Sequence, residues 1–519
     1  MERNELQSLQ ELKEEEKIKI SDRASNGILE KENADFLIKL IDNAENKTEV
    51  LKISALGMTY KRTGFHFDVR LEKNEGQTIR YLKKNENLSF NQGGITHKLI
   101  IGDNYPALLN LLINYKNKIK VIYIDPPYGK DDLGEFAQTN YNNAITRDNL
   151  LSMLYPRLIL ARQLLKDDGV IFCSIDDRNQ AYVKCLFDEV FGEENFIADF
   201  IWRKKYGGGK GAKLFVDTHE YILVYAKNKD WLNFNLLSRT DKQKEVFEMV
   251  DEYFNERGKY YIRPLKSGLD KRETLIYPIE CPDGSFIETQ WICGKEAYEK
   301  LQSEGRIVFK LLKNGTYNIY KKFYEYDSEG VMQESIIYDL AYNADGKVEI
   351  KQIFNIKEGR ETPFSNPKPI KLIYRFLELS TNDDDIILDF FAGSGTTGHA
   401  VLELNKQDGG NRQFILVTNN ETTDLNPNGI ALDVTSKRLK RIMSGECYDK
   451  SKDFKWLEKN APYGDSLEVS EIESIASSNH LVFEKIDEKL YGKDFKNIHD
   501  KIEWICKEFE LTCRKIEGE

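Results

Sequence analysis

Two stretches of the sequence decide the fold: Val121-Ile122-Tyr123-Ile124-Asp125-Pro126-Pro127-Tyr128 and Ile386-Ile387-Leu388-Asp389-Phe390-Phe391-Ala392-Gly393-Ser394-Gly395-Thr396-Thr397-Gly398. Each begins with a short apolar run typical of a buried strand. The first strand ends in a stiff turn, since two consecutive prolines fix φ and remove backbone donors. The second runs into a glycine turn that precedes a helix from His399 to Leu404. The pair therefore indicates an α/β protein.

The same rhythm of strand and helix continues on both sides of these stretches. It runs from Leu99 to about Lys229 and resumes from Pro369 to about Met443. We predict strands at 99–101, 121–124, 170–173 and 414–418, with helices at 107–113 and 150–165. Strands that alternate with helices predict a parallel sheet covered on both faces.

The rest of the chain divides by composition into accessory regions. Helix-prone residues fill 1 to about 50, and alternating apolar residues over 65–71 and at 79 and 81 predict antiparallel strands. We predict five regions: a 1–95 N-terminal accessory arm, a 96–230 first α/β half, a 231–355 inserted α+β domain, a 356–445 second α/β half and a 446–519 C-terminal helical region.

Composition limits the possible environments. No apolar stretch of the 519 residues is long enough to span a bilayer, so we predict no membrane partner. Seven scattered cysteines and six histidines show no metal-ligand spacing, which predicts reduced thiols, a cytoplasmic location and no metal site. The net charge of −11 does not exclude nucleic acid, because residues 201–230 carry seven Lys/Arg against three acids.

The glycine turn alone leaves several ligands open. Gly393, Gly395 and Gly398 fit G-x-G-x-x-G, which brings a ligand close to backbone N–H groups at a helix N-terminus. A dinucleotide-binding loop has the same pattern, and Glu421 stands near the distance expected of a ribose-binding acid. A nicotinamide dehydrogenase would explain this loop but not Asp125-Pro126-Pro127-Tyr128.

The Asp-Pro-Pro-Tyr turn suits chemistry on an amino group attached to a ring. Ligands of open α/β sheets bind at the carboxyl ends of strands, where this turn lies. Asp125 can accept one N–H of the amine, the Pro126 carbonyl can accept the other, and Tyr128 can stack on the ring. Two acceptors favour a tetrahedral nitrogen whose lone pair faces a methyl donor. Such an enzyme mainly supplies alignment and electrostatics.

With these motifs in this order, the chain resembles the β class of DNA amino-methyltransferases, over roughly 99–229 and 363–443. The resemblance implies a circularly permuted, Rossmann-like, S-adenosylmethionine-dependent methyltransferase fold. It also implies methyl transfer from S-adenosylmethionine to adenine N6, because Asp rather than Ser opens the tetrapeptide. Cytosine N4 is the rival target, since the geometry for an amino group is the same.

The resemblance assigns further residues by position. Asp125, Pro126, Pro127 and Tyr128 would be catalytic. Asp103 and Asn104 would contact the cofactor adenine, and Lys368 and Pro369 would lie near its methionine carboxylate. The other residues of the cofactor pocket would be Asp125, Asp389, Phe391, Gly393, Gly395 and Thr396. An acid after the strand at 414–418 usually holds the ribose, and here Asn419 or Glu421 could serve. Gly129-Lys130 stands where relatives often carry Asn-Thr-Gly.

A basic, glycine-rich segment indicates the substrate class. A base inside a duplex must be flipped out to reach a pocket, so the enzyme must hold the surrounding backbone. The segment 202–213 precedes a strand at 219–225, resembles the hairpin beside the flipped base in relatives, and can neutralise phosphates. We predict that DNA contacts Arg203, Lys204, Lys205, Lys210 and Lys213. RNA is a weaker prediction, since the sequence shows no RNA-binding module.

The flanking regions are similar to those of the modification (Mod) subunits of type III restriction–modification systems. This resemblance implies double-stranded DNA as substrate, a homodimer and a helicase–nuclease partner subunit. Residues 231–355 would be the target-recognition domain, and residues 1–50 and 446–519 would be candidate docking surfaces. A solitary methyltransferase without a nuclease partner is the alternative.

Overall fold

The computed structural model describes residues 8–25, 29, 31–58, 78–128, 146–207, 214–338, 340–477 and 480–517. They form two compact units, one made of 1–233 and 335–519 and the other of 234–334. Within the described residues, no helix combines the length and the apolar character needed to cross a membrane.

The larger unit is built on one ten-stranded mixed sheet. In spatial order its strands are β1-β15-β2-β14-β13-β3-β4-β6-β5-β12. Their bounds are β1 Thr78–Lys84, β2 Thr96–Ile101, β3 Ile119–Ile124, β4 Leu165–Ile175, β5 Phe196–Arg203, β6 His219–Ala226, β12 Ile336–Ile337, β13 Ile386–Asp389, β14 Gln413–Thr418 and β15 Ser466–Ala476.

Helices cover both faces of this sheet. Their bounds are α4 Asn104–Tyr115, α5 Thr146–Leu164, α6 Gln180–Phe191, α10 Asn343–Ile353, α11 Ile370–Ser380, α12 Thr396–Asp408 and α13 Lys437–Ser444. All six residues of β3 are buried, and alternate residues point to opposite faces. Ile122 and Ile124 belong to a core shared with α4, α5 and α6. On the other face, Phe376 of α11 stacks on Phe172 at 4.8 Å between ring centroids.

The strand order confirms the permuted α/β fold. Strand β13, which precedes the glycine turn, pairs in parallel with β3 on one side and with β14 on the other. Strand β14 in turn pairs in parallel with β2. Two chain segments separated by more than 200 residues therefore interleave in one sheet, and the carboxyl ends of β2, β14, β13, β3 and β4 share one edge.

The accessory regions differ from the sequence prediction. Strand β1, which holds Ile79 and Tyr81, is antiparallel to its neighbour as predicted, but that neighbour is the distant strand β15, which lies between β1 and β2. The 446–519 region is therefore not only helical. The alternating residues 65–71 lie outside the described residues. Ahead of β1, three helices pack on a small apolar core of their own, and two more follow β15: α1 Leu9–Ser25, α2 Lys31–Asn43, α3 Lys47–Met58, α14 His480–Leu490 and α15 Ile498–Glu517.

The smaller unit is an α+β body with its own core. It has a three-stranded sheet, a two-stranded sheet and short helices. Their bounds are α7 Asp241–Lys244, α8 Phe254–Arg257, β7 Tyr260–Pro264, β8 Ile276–Glu280, β9 Phe286–Gln290, α9 Lys295–Ser303, β10 Ile307–Leu311 and β11 Tyr317–Tyr324. Trp291 and Leu265 lie in its core. The unit is narrower than the predicted 231–355 domain, since β12 and α10 belong to the larger unit.

Candidate active site

A cavity of about 820 Å³ opens at the shared carboxyl edge of the sheet. Five strand ends supply its walls, because parallel strands place the residues that follow them at one edge. The residues that follow β2, β3, β4, β13 and β14 and line the cavity are Asp103, Asp125, Asp176, Phe390 and Asn419.

The glycine turn between β13 and α12 has the backbone that glycine alone adopts easily. Gly393 has φ +47° and Gly395 has φ +78°, both in the left-handed region. A Cβ on Gly393 would lie 2.9 Å from Phe364 Cζ, so the turn and Phe364 pack closely. A Cβ on Gly398 would lie 3.1 Å from Leu416, so this third glycine brings α12 close to β14.

Asp389 ends β13 as a buried acid in the cavity wall and is only 2% exposed. The Thr397 hydroxyl and the Phe391 backbone N–H, the latter at 3.0 Å, donate to its carboxylate. Burial raises the pKa of Asp389 to about 7, although these two hydrogen bonds oppose the shift. The carboxyl group therefore titrates near neutrality, beside the glycine turn.

Asp103 and Asn104 at the start of α4 are held by a buried arginine. Arg157 of α5 donates from Nη2 to Asp103 Oδ1 at 3.0 Å and from Nε to Asn104 Oδ1. Asn104 Nδ2 donates to the Phe390 carbonyl at 2.8 Å, which ties the end of β2 to the end of β13. Asp103 also caps α4, since its carboxylate accepts the Tyr105 N–H.

The Asp125-Pro126-Pro127-Tyr128 turn follows β3 into the same cavity. The Tyr128 hydroxyl donates to Asp125 Oδ1 at 2.5 Å, and Lys368 Nζ donates to the same oxygen at 2.7 Å. Asn179 Nδ2 donates to the Tyr128 carbonyl at 2.8 Å. Asn179 and Lys368 thus bind the turn from outside, and the Tyr128 side chain is part of the polar network around Asp125.

Lys368 reaches the turn from the residue pair just before α11. Its Nζ also lies 2.8 Å from the Tyr128 hydroxyl oxygen and 3.2 Å from Glu220 Oε2. Burial lowers the pKa of Lys368, but Asp125 and Glu220 outweigh this effect and the net shift is upward. Lys368 is therefore a buried cation between two carboxylates.

Glu220 enters the cavity because of strand direction. Strand β6 runs antiparallel to β4, and Tyr221 pairs with Ile175 at the end of β4. The first residues of β6 therefore lie at the carboxyl edge of the sheet. The sequence analysis did not single out Glu220, and a polar residue within the mostly apolar run 219–226 was its only signal.

After β14, the two candidates for a ribose-binding residue line the cavity, whereas Asn420 between them in sequence does not. Asn419 and Glu421 both line the cavity and are exposed. The Asn420 side chain instead accepts the Leu432 N–H at 3.2 Å and donates to the Asn428 carbonyl at 2.8 Å. Either Asn419 or Glu421 can meet a ligand hydroxyl.

The structure brings most of the predicted site residues together. Among them, those that line the cavity are Asp103, Asn104, Asp125, Pro126, Pro127, Tyr128, Lys368, Asp389, Phe391, Gly393, Thr396 and Glu421. Two do not. Gly395 is buried as the N-cap of α12, and Pro369 is the N-cap of α11. Each of these two residues sets the backbone conformation at the start of a helix that borders the cavity.

The basic segment is described in part. Lys204 lines the cavity, and its Nζ lies 2.8 Å from Asp217 Oδ2. The Arg203 guanidinium stacks on the Tyr206 ring at 4.7 Å, and Lys205 is exposed. Lys210 and Lys213 lie outside the described residues. The role of all five basic residues in DNA binding stays a prediction.

A second buried arginine donates hydrogen bonds to the glycine turn. Arg438 of α13 is fully buried and donates to Thr396 Oγ1 at 2.9 Å and to the Ser394 carbonyl at 3.3 Å. Burial lowers its pKa to about 10. Neither Arg157 nor Arg438 carried a sequence signal, because an arginine in a helical stretch is ordinarily a surface residue.

Acidic groups also gather at the cavity rim. Asp177, Asp217 and His219 place one ligand atom each within 4.8 Å of one another, although the sequence analysis predicted no metal site. Lys204 pairs with Asp217, and His219 Nε2 lies 3.8 Å from Asp177. Lys204 therefore already balances the charge of Asp217 in this group.

Two family models match the chain. The N6/N4 methyltransferase model, described as DNA methylase, covers residues 119–423. A model of uncharacterised conserved proteins covers residues 13–121.

Several curated proteins are similar over most of the chain. The type III restriction–modification enzyme StyLTI Mod subunit of Salmonella typhimurium is 34% identical, over 62% of this chain and 52% of that protein. The EcoPI Mod subunit of Escherichia phage P1 is 30% identical, over 77% of this chain and 69% of that protein. The type II methyltransferase M.KpnI of Klebsiella pneumoniae is 30% identical, over 62% of this chain and 80% of that protein. The chain thus spans about half the length of the Salmonella relative.

Proposed function

Because the chain belongs to the N6/N4 DNA methylase family, we propose that it transfers a methyl group from S-adenosylmethionine to N6 of an adenine flipped out of DNA. One observation carries this proposal: Asp125 lines the same cavity as the glycine turn at Gly393. An acceptor for an amino group and a loop for a nucleoside cofactor therefore face one space.

The cavity residues fit S-adenosylmethionine. The close approach of the Gly393 backbone to Phe364 leaves no room for a side chain, which suits a loop that packs against a ligand. Asp389 can supply negative charge near the sulfonium, and Asn419 or Glu421 can accept ribose hydroxyls. When bound, this group supplies an electrophilic methyl on a positively charged sulfur.

The chain's own residues have to align the amine. In this proposal Asp125 accepts one N6–H and the Pro126 carbonyl accepts the other, so the nitrogen lone pair turns toward the methyl group. The lone pair would form the new N–C bond with the methyl group that S-adenosylmethionine supplies, and the electron pair of the C–S bond would stay on sulfur. One N6 proton then leaves to the Asp125 carboxylate or to water, which restores a neutral amine.

We propose further that the protein is the modification subunit of a type III system. The names of the Salmonella and phage P1 relatives support this role, and with it double-stranded DNA as substrate and a helicase–nuclease partner subunit. The 234–334 unit would carry target recognition. A homodimer follows from the same resemblance. The similarity to M.KpnI favours a methyltransferase without a nuclease partner as the second candidate. Seven free cysteines agree with a reducing, cytoplasmic location.

Expression in a host without DNA methylation tests the function. Single-molecule sequencing of the host DNA is expected to reveal N6-methyladenine within one short sequence. N4-methylcytosine would replace adenine by cytosine as the target, and unmodified DNA would refute the proposal. Co-expression with a helicase–nuclease subunit of a type III system, followed by co-purification, separates the type III role from the solitary one.

A further inference from the structure

Three oxygens surround Lys368 Nζ: two accept hydrogen bonds from it, and the third belongs to an ion-paired carboxylate. Asp125 Oδ1 lies at 2.7 Å, the Tyr128 hydroxyl at 2.8 Å and Glu220 Oε2 at 3.2 Å. A lysine ammonium has three N–H donors. The side chains of Lys368 and Glu220 are each only 8% exposed, so this arrangement is shielded from water.

The two oxygens of Asp125 have different surroundings. The Lys368 ammonium and the Tyr128 hydroxyl both donate to Oδ1. Within the part of the chain that the structure describes, no hydrogen bond reaches Oδ2. Because Asp125 lines the cavity, Oδ2 is the oxygen left for a ligand. The fixed oxygen sets the plane of the carboxylate, and the other oxygen is free to accept from an amine.

We propose that Lys368 is a positioning residue for Asp125 and that Glu220 is the second anchor that holds Lys368 in place. The inference rests on the proposed function, since it concerns the acceptor for the target amine. It replaces the contact with the cofactor carboxylate that the family resemblance implied for Lys368.

Glu220 suits this second role by its geometry and charge. The antiparallel pairing of β6 with β4 fixes its backbone at the cavity edge. With Glu220 present, Lys368 lies between two carboxylates, and the group of three carries one net negative charge when all are ionised. Glu220 Oε1 also lies 3.5 Å from Lys204 Nζ, so Glu220 joins two lysines and shares in balancing the charge of Lys368.

Four variants of the full chain test the proposal: Lys368→Met, Lys368→Arg, Glu220→Gln and the double variant Lys368→Met/Glu220→Gln. The readouts are the dissociation constant for S-adenosylmethionine, the single-turnover methylation rate at saturating cofactor and DNA, and the thermal unfolding temperature. Lys120→Met is the matched control. Lys120 is 4% exposed and pairs with Asp168 at 2.7 Å, but it lies at the opposite end of β3 from Asp125.

We expect Lys368→Met to lower the methylation rate by about 100-fold, as for lost charge-assisted hydrogen bonds, and Glu220→Gln by about tenfold, as for a lost buried ion pair. The dissociation constant for S-adenosylmethionine stays within about threefold in both, since neither change touches a cofactor contact. Lys368→Arg recovers part of the rate, because it restores charge and donors. Lys120→Met leaves rate and affinity unchanged, whatever its cost in stability.

A Lys368→Met enzyme that binds S-adenosylmethionine weakly but methylates at the wild-type rate when saturated would overturn the proposal. So would a Glu220→Gln enzyme with wild-type rate. If Lys368→Met unfolds, the methylation rate is measured on the double variant instead, since that variant removes a cation and an anion together. We expect its rate to be as low as that predicted for Lys368→Met. A wild-type chain that methylates no adenine would instead refute the proposed function, so the two failures are distinguishable.

Discussion

At the scale of the residue, Asp125 and Asp389 are acids with different tasks in one cavity. Asp125 is the proposed acceptor for the target amine, and Lys368 and Tyr128 donate hydrogen bonds to one of its oxygens. Asp389 is buried beneath the glycine turn, and burial raises its pKa to about 7. The two groups lie at the ends of neighbouring strands, β3 and β13, so their separation is set by the sheet.

Asp125→Ala is expected to abolish methylation and leave S-adenosylmethionine binding largely intact. The change removes the acceptor for the target amine but none of the backbone that surrounds the cofactor. Equilibrium binding of radiolabelled cofactor and a DNA methylation assay measure the two effects. Asp383→Ala, at an aspartate that is 77% exposed, serves as control. Retained methylation in the Asp125 variant would contradict the site assignment.

Affinity for S-adenosylmethionine is expected to increase as pH rises from 6 to 8. The Asp389 carboxyl is neutral below its pKa of about 7 and negative above it, and the negative form attracts the sulfonium. A gain of about fivefold is expected if binding lowers the pKa of Asp389 by one unit, and the gain approaches tenfold for a larger shift. Isothermal titration at several pH values measures the slope.

The Asp389→Asn variant should flatten this pH dependence. Glu349→Gln should keep it, although burial also raises the pKa of Glu349 to about 7, because Glu349 caps α11 and does not line the cavity. An unchanged slope in Asp389→Asn would exclude Asp389 as its origin. The stability effect has the opposite sign: the folded-state pKa lies above the unfolded one, so ionising Asp389 lowers the free energy of unfolding between about pH 4 and 7.

At the scale of the element, the turn from β13 into α12 depends on glycine for two different reasons. Gly395 needs the left-handed backbone, with φ +78°, and a Cβ there would lie 3.2 Å from Thr435 Cγ2. Gly398 is needed for close packing of α12 on β14. Arg438 then holds the first residue of α12 through Thr396 Oγ1. Shape and hydrogen bonding together fix the loop before any ligand binds.

Gly395→Ala is expected to weaken S-adenosylmethionine binding, whereas Gly409→Ala is not. Both glycines are left-handed caps of α12, with φ +78° and +77°, so alanine costs each about 1 kcal/mol of stability. Only at Gly395 would the new Cβ meet a neighbour, because nothing lies within 4 Å at Gly409. Thermal melts and cofactor titrations of the pair separate backbone strain from loop displacement. Equal loss of affinity in both would contradict this reasoning.

At the scale of the whole molecule, the C-terminal region completes the catalytic sheet. Strand β15 pairs in parallel with β2 and antiparallel with β1. The two helices that follow pack near β1, where Tyr81, Val482, Ile486 and Cys513 form a small core. The regions predicted as accessory ends are thus structurally part of the larger unit.

Removal of residues 466–519 is expected to prevent cooperative folding. The deletion strips β1 of its partner and leaves one edge of β2 unpaired, and unpaired strand edges promote aggregation. Removal of 480–519 alone should lower the unfolding temperature but preserve cofactor binding, since it keeps β15. Size-exclusion chromatography and thermal melts compare the two. A soluble, cofactor-binding chain without β15 would show that the strand is dispensable.

Local sequence predicted the central elements well, because their signals are short-range. The apolar runs at Ile122, Leu388 and Leu416 lie on β3, β13 and β14 as expected, and the proline and glycine motifs follow the first two. The bounds differ by a few residues, as α12 begins at Thr396 rather than His399. Neither β15 nor the pairing of β1 was predicted, since their partners lie hundreds of residues away in sequence.

The sequence by itself therefore determined the strands, the two motifs and the class of chemistry, since each depends on side chains within about ten residues. Tertiary structure alone decided which distant groups meet: Glu220 with Lys368, Arg157 with Asn104, and Arg438 with Thr396. Strand direction and register bring such pairs together, and local periodicity does not specify them. For the same reason the buried charges around Asp125 emerged only once the sheet was assembled.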